Sequence, residues 1–416
     1  MSGTTKSGWV PRLRFPEFRR AEVWCLGRIA DIAEVLQGYG FPERYQGQTT
    51  GEYPFYKVSD ISNTLLANET FIEKSANYIA ADVLKELKAK PIPEGTTIFA
   101  KIGEAIRSNK RAITTTSCLI DNNTAGVKRI QGKSTDLFVY YTMEMISLID
   151  YSGGVVPSVN KSAIENVVIM FPAIAEQQKI ADCLSSLDDL ITLEAQKLDS
   201  LKAHKKGLMQ QLFPREGETQ PHLRFPEFEN AGEWSKTTLG QAATFINGRA
   251  YKQEELLEAG KYPVLRVGNF FTNNNWYYSD LELDETKYCD NGDLLYAWSA
   301  SFGPRIWRGI KVIYHYHIWK VEEHSGIDRQ FLFITLENET ERMKAKSANG
   351  LGLLHITKGT IEGWDTSFPT LPEQHRIASC LTSLDDLITA QTQKFEGLKT
   401  HKKGLMQQLF PQVAEE

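Results

Sequence analysis

The 416-residue chain has few cysteines, no long apolar run and no excess of basic charge. Its five cysteines cannot all pair, and no CxxC spacing occurs. A disulfide framework is therefore not expected, and all five read as reduced and structural. No apolar stretch approaches the ~20 residues that span a bilayer. The N-terminal MSGTTKSGWVPRLR lacks the apolar core of a signal peptide, so a soluble cytoplasmic protein with no membrane partner is expected. Signatures of catalysis are also missing. There is no (N/D)PP(Y/F), no HExxH, and no phosphate-binding loop. At the nearest approach to such a loop, Gly132-Lys133-Ser134, the required first glycine is Val127.

What is present is a repeat. Residues 176–213, EQQKIADCLSSLDDLITLEAQKLDSLKAHKKGLMQQLF, return as residues 373–410, EQHRIASCLTSLDDLITAQTQKFEGLKTHKKGLMQQLF, with 27 of 38 positions identical at an offset of 197. Apolar residues fall at Ile180, Leu184, Leu187, Ile191, Leu198, Leu201, Leu208 and Leu212, with Glu194 and Lys205 filling the gaps. Steps of four and three make a heptad seam. Thirty-eight helical residues span roughly 57 Å. Pro172 and Pro369 precede the helices, and Pro214 and Pro411 end them. Neither helix can bury its seam alone. An antiparallel coiled coil between the two is expected, over the alternative that each lies on its own domain.

The repeat extends outside the helices. PRLRFPEF at 11–18 returns as PHLRFPEF at 221–228, where Phe15, Phe18, Phe225 and Phe228 are expected to pack on the helix ends. Gly38 matches Gly248, each expected at the centre of a turn, and Val159, Lys161 and Ile164 match Ile356, Lys358 and Ile361. Joining the chain ends would recreate the junction at 209–228, so the layout is that of a circular pseudo-two-fold object. The expected parts are an N-terminal linker (1–21), a first domain (22–172), a spacer helix (173–214), a linker (215–231), a second domain (232–369), a second spacer helix (370–411) and a tail (412–416). Short β-like runs divide each domain: YPFYKVSDI and YPVLRVGNF, TTIFAKIG and DLLYAWSA, TTSCLID and KVIYHYHIWKV. With modest helices such as 136–149, they predict an α+β class.

The two EQ-x-x-IA-x-CL-x-SLDDLI helices, the P-x-x-x-EQ lead-in to each and the duplicated domain–helix layout, from about residue 11 to 411, resemble the specificity subunit of type I restriction–modification systems. The resemblance implies two pseudo-symmetric target-recognition domains, each reading half of a bipartite double-stranded DNA site, separated by the helix pair. It implies two methyltransferase subunits and restriction/translocase subunits as partners, and no catalysis and no cofactor in this chain. S-adenosylmethionine would belong to the methyltransferases, and ATP and Mg to the restriction subunits. A helical scaffold with two protein-binding domains is the alternative.

The net charge of −5 hides local fields. In the first domain KIGEAIRSNKR carries Lys101, Arg107, Lys110 and Arg111 against one acid, Glu104. In the second, WSASFGPRIWRGIK carries Trp298, Arg305, Trp307, Arg308 and Lys311 with no acid. An offset of 197 sets Arg111 opposite Arg308. Cations and aromatic or amide side chains of this kind meet phosphates and groove edges; a solvated basic loop is the plainer reading. Lys57, Ser59 and Asp60 match Arg266, Gly268 and Asn269 at strand ends, as base contacts or as a turn. Lys161 and Lys358 suit a phosphate clamp or an exposed helix start. Asn273, Asn274, Asn275 and Trp276 form a private reading loop or a turn. His315 and His317, one residue apart in a strand-like run, share a face and suit a core or DNA-facing role rather than a metal.

Overall fold

The structure is a computed structural model that describes residues 10–271, 274–299, 301–347 and 356–411. It divides into two compact units, Met1–Asp199 with Ala390–Glu416, and Ser200–Thr389. Two 39-residue helices, Ile174–Leu212 and Leu371–Leu409, each begin in one unit and end in the other.

Heptad burial and cross-helix polar pairs place the helices side by side and antiparallel. In the first unit, Ile180, Ala181 and Leu184 share a core with Met406, Leu409 and Phe410, and with Trp24 and Phe138. Gln391 donates to the Glu194 carboxylate at 2.5 Å. The Lys402 ammonium lies 2.7 Å from Asp188 and 3.1 Å from Glu144. In the second unit, Leu212 and Phe213 pack with Ile377, Ala378 and Leu381. There Lys205 lies 2.6 Å from Asp385 and 3.5 Å from Glu337. The polar residues that interrupt the heptads thus pair across the helices, as register-setting residues do.

The units share a plan. In each, a ribbon leads the chain into its long helix: Cys25–Arg28 pairs with Val168–Phe171, and Ser235–Thr238 with Asp365–Phe368. The main sheet of the first unit runs Ala33–Gln37, Thr124–Arg129, Thr97–Ala100, Arg111–Thr114, Phe71–Ile72. That of the second runs Ala243–Asn247, Ile318–Glu323, Leu294–Ala297, Gly303–Ile306. Beside it, Tyr53–Tyr56 pairs in parallel with Leu119–Ile120, and Tyr262–Leu265 with Val312–Tyr314. The central strands are wholly buried, so their residues read as apolar runs without alternation. The five cysteines are free.

Three expectations change. YPFYKVSDI and YPVLRVGNF are strand only in their first halves. Helices Val58–Leu66 and Val267–Phe271 follow, because Asp60 and Asn269 accept the backbone N–H of Lys57 and Arg266 at 2.7 and 3.3 Å. Local side-chain capping of this type starts helices. KVIYHYHIWKV is two strands with a turn at His315, Tyr316 and His317, so the histidines do not alternate along one strand. Their rings meet across that turn instead, with centroids 4.8 Å apart. Gly38 and Gly248 are not turn glycines. They let two backbones meet: a Cβ on Gly38 would sit 1.8 Å from the Asp121 carbonyl oxygen, and one on Gly248 2.4 Å from that of His315.

The LRFPEF boxes dock through Phe15 and Phe225, which pack on the two cores, whereas Phe18 and Phe228 are half-buried outside those clusters. Their arginines do more. Arg14 grips both carboxylate oxygens of Glu176 at 2.8 and 2.6 Å and donates to the carbonyls of Ala21 and Glu22. Arg224 repeats this on Glu373, at 2.7 Å to each oxygen, and on the carbonyls of Ala231 and Gly232.

Candidate nucleic-acid interface

Backbone bonds bring the segments that carry several of the residues singled out in the sequence to one turn in each unit. In the first, strands Leu119–Ile120 and Thr124–Arg129 are joined through Asp121, Asn122 and Asn123. The Asp121 N–H donates to the Tyr56 carbonyl at 3.1 Å, which brings Lys57 alongside. The Lys101 N–H donates to Asn123 O at 2.9 Å, and Val159 N–H to Lys101 O at 2.9 Å, two residues before Lys161. The second unit has the same bonds: His315 N–H to Leu265 O at 2.9 Å, Trp298 N–H to His317 O at 3.1 Å, and Ile356 N–H to Trp298 O at 2.9 Å. Arg266, Trp298 and Lys358 therefore stand where Lys57, Lys101 and Lys161 stand.

The frame is shared and the side chains differ. In the first unit, Lys101 Nζ reaches Gln37 Oε1, and Lys57 Nζ donates to Gln46 Oε1 at 2.6 Å. Partial burial lowers the pKa of the Lys101 ammonium. In the second unit, aromatics replace these groups. The Trp298 ring lies 4.9 Å from that of His317, and Tyr316 is exposed at the tip. Burial holds the His315 imidazole down at about 4, with His317 and Arg266 adding to the effect, so it is neutral at physiological pH. Among the described residues no three metal-ligating side chains gather.

The basic segments themselves divide. Arg107 is exposed and paired with Glu104 at 2.9 Å, and Lys110 Nζ reaches Ser62 Oγ at 3.3 Å, both in the loop after Lys101. Arg111 is only 2% exposed. Its guanidinium donates to the carbonyls of Asn109 and Ile146 at 2.7 Å each, so it braces the loop and does not face solvent. It is also not the counterpart of Arg308. Thr97 pairs with Ile113 and Leu294 with Ile306, so the offset falls from 197 to 193 between these strands. Arg111 corresponds to Pro304, and Arg308 to Thr115. Arg308 lies past the end of its strand opposite Trp298; with Arg305 it lines a separate groove of ≈ 1050 Å³ that also carries Lys202, Lys206 and Lys344. Lys161 and Lys358 each pair with a glutamate one turn on, at 3.6 and 3.5 Å. Asn274 and Asn275 are exposed; Asn273 lies outside the described residues. The turn residues Asn122 and Asn123 carry no signal in the sequence read alone, because nothing local marks them as the tip of a core hairpin.

Replacing Arg111 by methionine should cost stability, about 1–3 kcal/mol for buried carbonyls left unpaired, with little effect on DNA affinity. Melting and DNA titration of the same variant check both halves of that expectation.

The family described as the type I restriction modification DNA specificity domain matches residues 22–203 and again residues 231–400. The chain belongs to this family. It is the DNA specificity subunit of a type I restriction–modification system, itself non-catalytic, with two target recognition domains. The MjaVIII type I restriction enzyme specificity subunit of Methanocaldococcus jannaschii is 24% identical over 412 residues, 94% of this specificity subunit and 93% of that one. The putative MjaX specificity subunit of the same organism is 26% identical over 262 residues, 61% of this chain and 60% of the relative. The crystal structure of a type I S subunit from M. genitalium shares the fold at a TM-score of 0.58 and 14% identity, covering 97% of this chain and 100% of the other. A structure from work on type I complex assembly and conformational transition does so at 0.55 and 16%, covering 92% and 96%. A specificity subunit works with DNA and with partner subunits; no described helix of this one is long and apolar enough to cross a membrane.

Proposed function

We propose that this specificity subunit reads a bipartite DNA site, one half with each target recognition domain, and presents it to subunits that carry out the chemistry. The observation that carries this reading is the pair of equivalent turns, held by the same backbone bonds and furnished with different side chains. A protein that had to recognise one partner twice would repeat the side chains as well. Phosphate contacts from Lys57, Lys101, Arg107, Lys110 and Lys161, and from Arg266, Arg305, Arg308 and Lys358, would supply general affinity. Trp298 shapes the second reading edge. The domain limits proposed are 22–172 and 232–369.

The chemistry would lie elsewhere, with two methyltransferase subunits using S-adenosylmethionine and restriction/translocase subunits using ATP and Mg, in the cytoplasm. Leu190 and Leu387 support two-fold docking: they are repeat-equivalent, lie on the long helices and are exposed. Replacing both by aspartate should abolish co-purification with the methyltransferase while the chain stays folded. Methylome sequencing of a host with and without the chain tests the whole reading; a bipartite motif that depends on the chain is expected, and the absence of one would end it. Inserting four residues after Leu193 and Ala390 lengthens each helix by about 6 Å and rotates it by about 40°. The motif should then change its gap or disappear, with half-site identities kept. An unchanged gap would remove the helices as the ruler.

A further inference from the structure

We infer that the turn formed by Asp121, Asn122 and Asn123, and its counterpart of His315, Tyr316 and His317, is the base-reading element of each domain, and that Asn122 and Asn123 select an A·T pair in the half-site of the first domain. The inference rests on the DNA-reading assignment above and names the residues and the base class behind it.

Four observations carry it. First, the turn is the exposed tip of a buried structure. Ile120 and Thr124 are buried on either side of exposed Asn122 and Asn123, as Tyr314 and Ile318 are on either side of Tyr316. Second, the turn is braced by bonds within the chain itself. The Thr124 hydroxyl donates to the Asp121 carbonyl at 2.7 Å, and the Ile318 N–H to His315 O at 2.9 Å. Gly38 and Gly248 press the neighbouring backbone against the same residues. A rigid platform loses little order on binding, which sharpens discrimination between bases. Third, cationic side chains flank the tip, Lys57 and Lys101 in one domain and Arg266 in the other, where phosphate contacts would hold the tip in a groove. Fourth, the side chains at the tip differ in kind. The first domain offers two carboxamides. An Asn amide presents a donor and an acceptor at the spacing of adenine N6 and N7, a pattern that no other base edge shows in the major groove. The second domain offers no amide there. It presents the Tyr316 ring, 3.9 Å from that of His317, which in turn meets Trp298. The two half-sites must then differ at the positions these tips meet.

The test uses the full chain with its methyltransferase and reads the methylated motif genome-wide. Asn122→Ala with Asn123→Ala should relax one A·T position in one half-site, with a loss of discrimination of roughly 5- to 150-fold, and leave the other half and the gap unchanged. Tyr316→Ala with His317→Ala should relax only the other half. Asn122→Asp and Asn123→Asp, tested singly, keep the shape but remove the donor. One of them should move the preferred base from adenine toward cytosine, whose N4 amino group donates to a carboxylate. These single changes at an exposed tip also keep the test decisive if the double variant misfolds. Wild-type motifs from all of these variants would overturn the inference, as would relaxation of both halves by one turn. Failure of the wild-type chain to produce any bipartite motif would instead overturn the function on which the inference rests.

Discussion

Glu176→Gln should destabilise the chain by roughly 3–5 kcal/mol, the cost of removing one partner of a buried ion pair. The Arg14 and Glu176 side chains are 7% and 2% exposed. Trp24 Nε1 also donates to the same carboxylate, at 3.3 Å. Glutamine retains one acceptor but leaves the guanidinium charge uncompensated in a site with little water. Glu373→Gln should act alike in the second unit, where Arg224 makes the same grip. An internal control is available: Glu17 and Lys179 form a pair 3.4 Å apart in which both side chains are about half exposed. Glu17→Gln should leave the melt nearly unchanged, because water screens an exposed pair. Replacing Arg14 and Glu176 together by methionine and leucine should cost less than the single change, because no orphaned charge remains. Urea melts of the four variants decide; equal losses for Glu17→Gln and Glu176→Gln would show that burial is not what makes the clamp matter.

Lys402→Met should have an effect of similar size, about 3–5 kcal/mol at neutral pH, and the loss should depend on pH. The lysine ammonium is the cation between Asp188 and Glu144, and Tyr141 donates its hydroxyl to Asp188 at 2.7 Å. Burial raises the pKa of Asp188 above the ordinary aspartate value, and Lys402 opposes that rise. A carboxyl whose folded pKa is raised binds its proton more readily in the folded state, so its contribution to stability falls as pH rises from the unfolded value through the folded one. Removing Lys402 removes the opposing influence and extends that window upward. The deficit of Lys402→Met relative to the parent chain should therefore shrink between pH 8 and pH 5. Asp188→Asn should be milder, since it gives up an ion pair but also removes the cost of burying the charge. Lys205, between Asp385 and Glu337, repeats the arrangement; burial likewise raises the Glu337 pKa. An equal deficit at both pH values would mean that Lys402 contributes through its aliphatic stem alone.

Periodicity and repetition made the helices, their pairing, the α+β class and the family resemblance legible from residues alone. A heptad seam is a local pattern, and two nearly identical copies leave few alternatives. Capping by Asp60 and Asn269 was legible in principle, but a polar residue after a short apolar run serves a turn or a helix start equally well. The Arg14–Glu176 and Arg224–Glu373 grips join residues 162 and 149 positions apart. Both partners stood in repeated motifs, yet nothing in a one-dimensional pattern says that the arginine of one reaches the glutamate of the other. Arg111 misled because charge in a loop segment is ordinarily solvated, whereas here two backbone carbonyls turn inward to receive it.

By itself the sequence determined what depends on local spacing: two long helices with one seam each, two domains of one ancestry, and the glycines at 38 and 248 that recur because a side chain cannot fit there. Only the tertiary structure decided which cations stand together. The equivalence of the two domains runs through hydrogen-bonded strand register, and register shifts wherever a loop gains or loses residues, as the change of offset from 197 to 193 between adjacent strands shows. Side chains that face a common ligand are brought together by that register, not by their numbers, so the reading turn could be found only after the strands were paired.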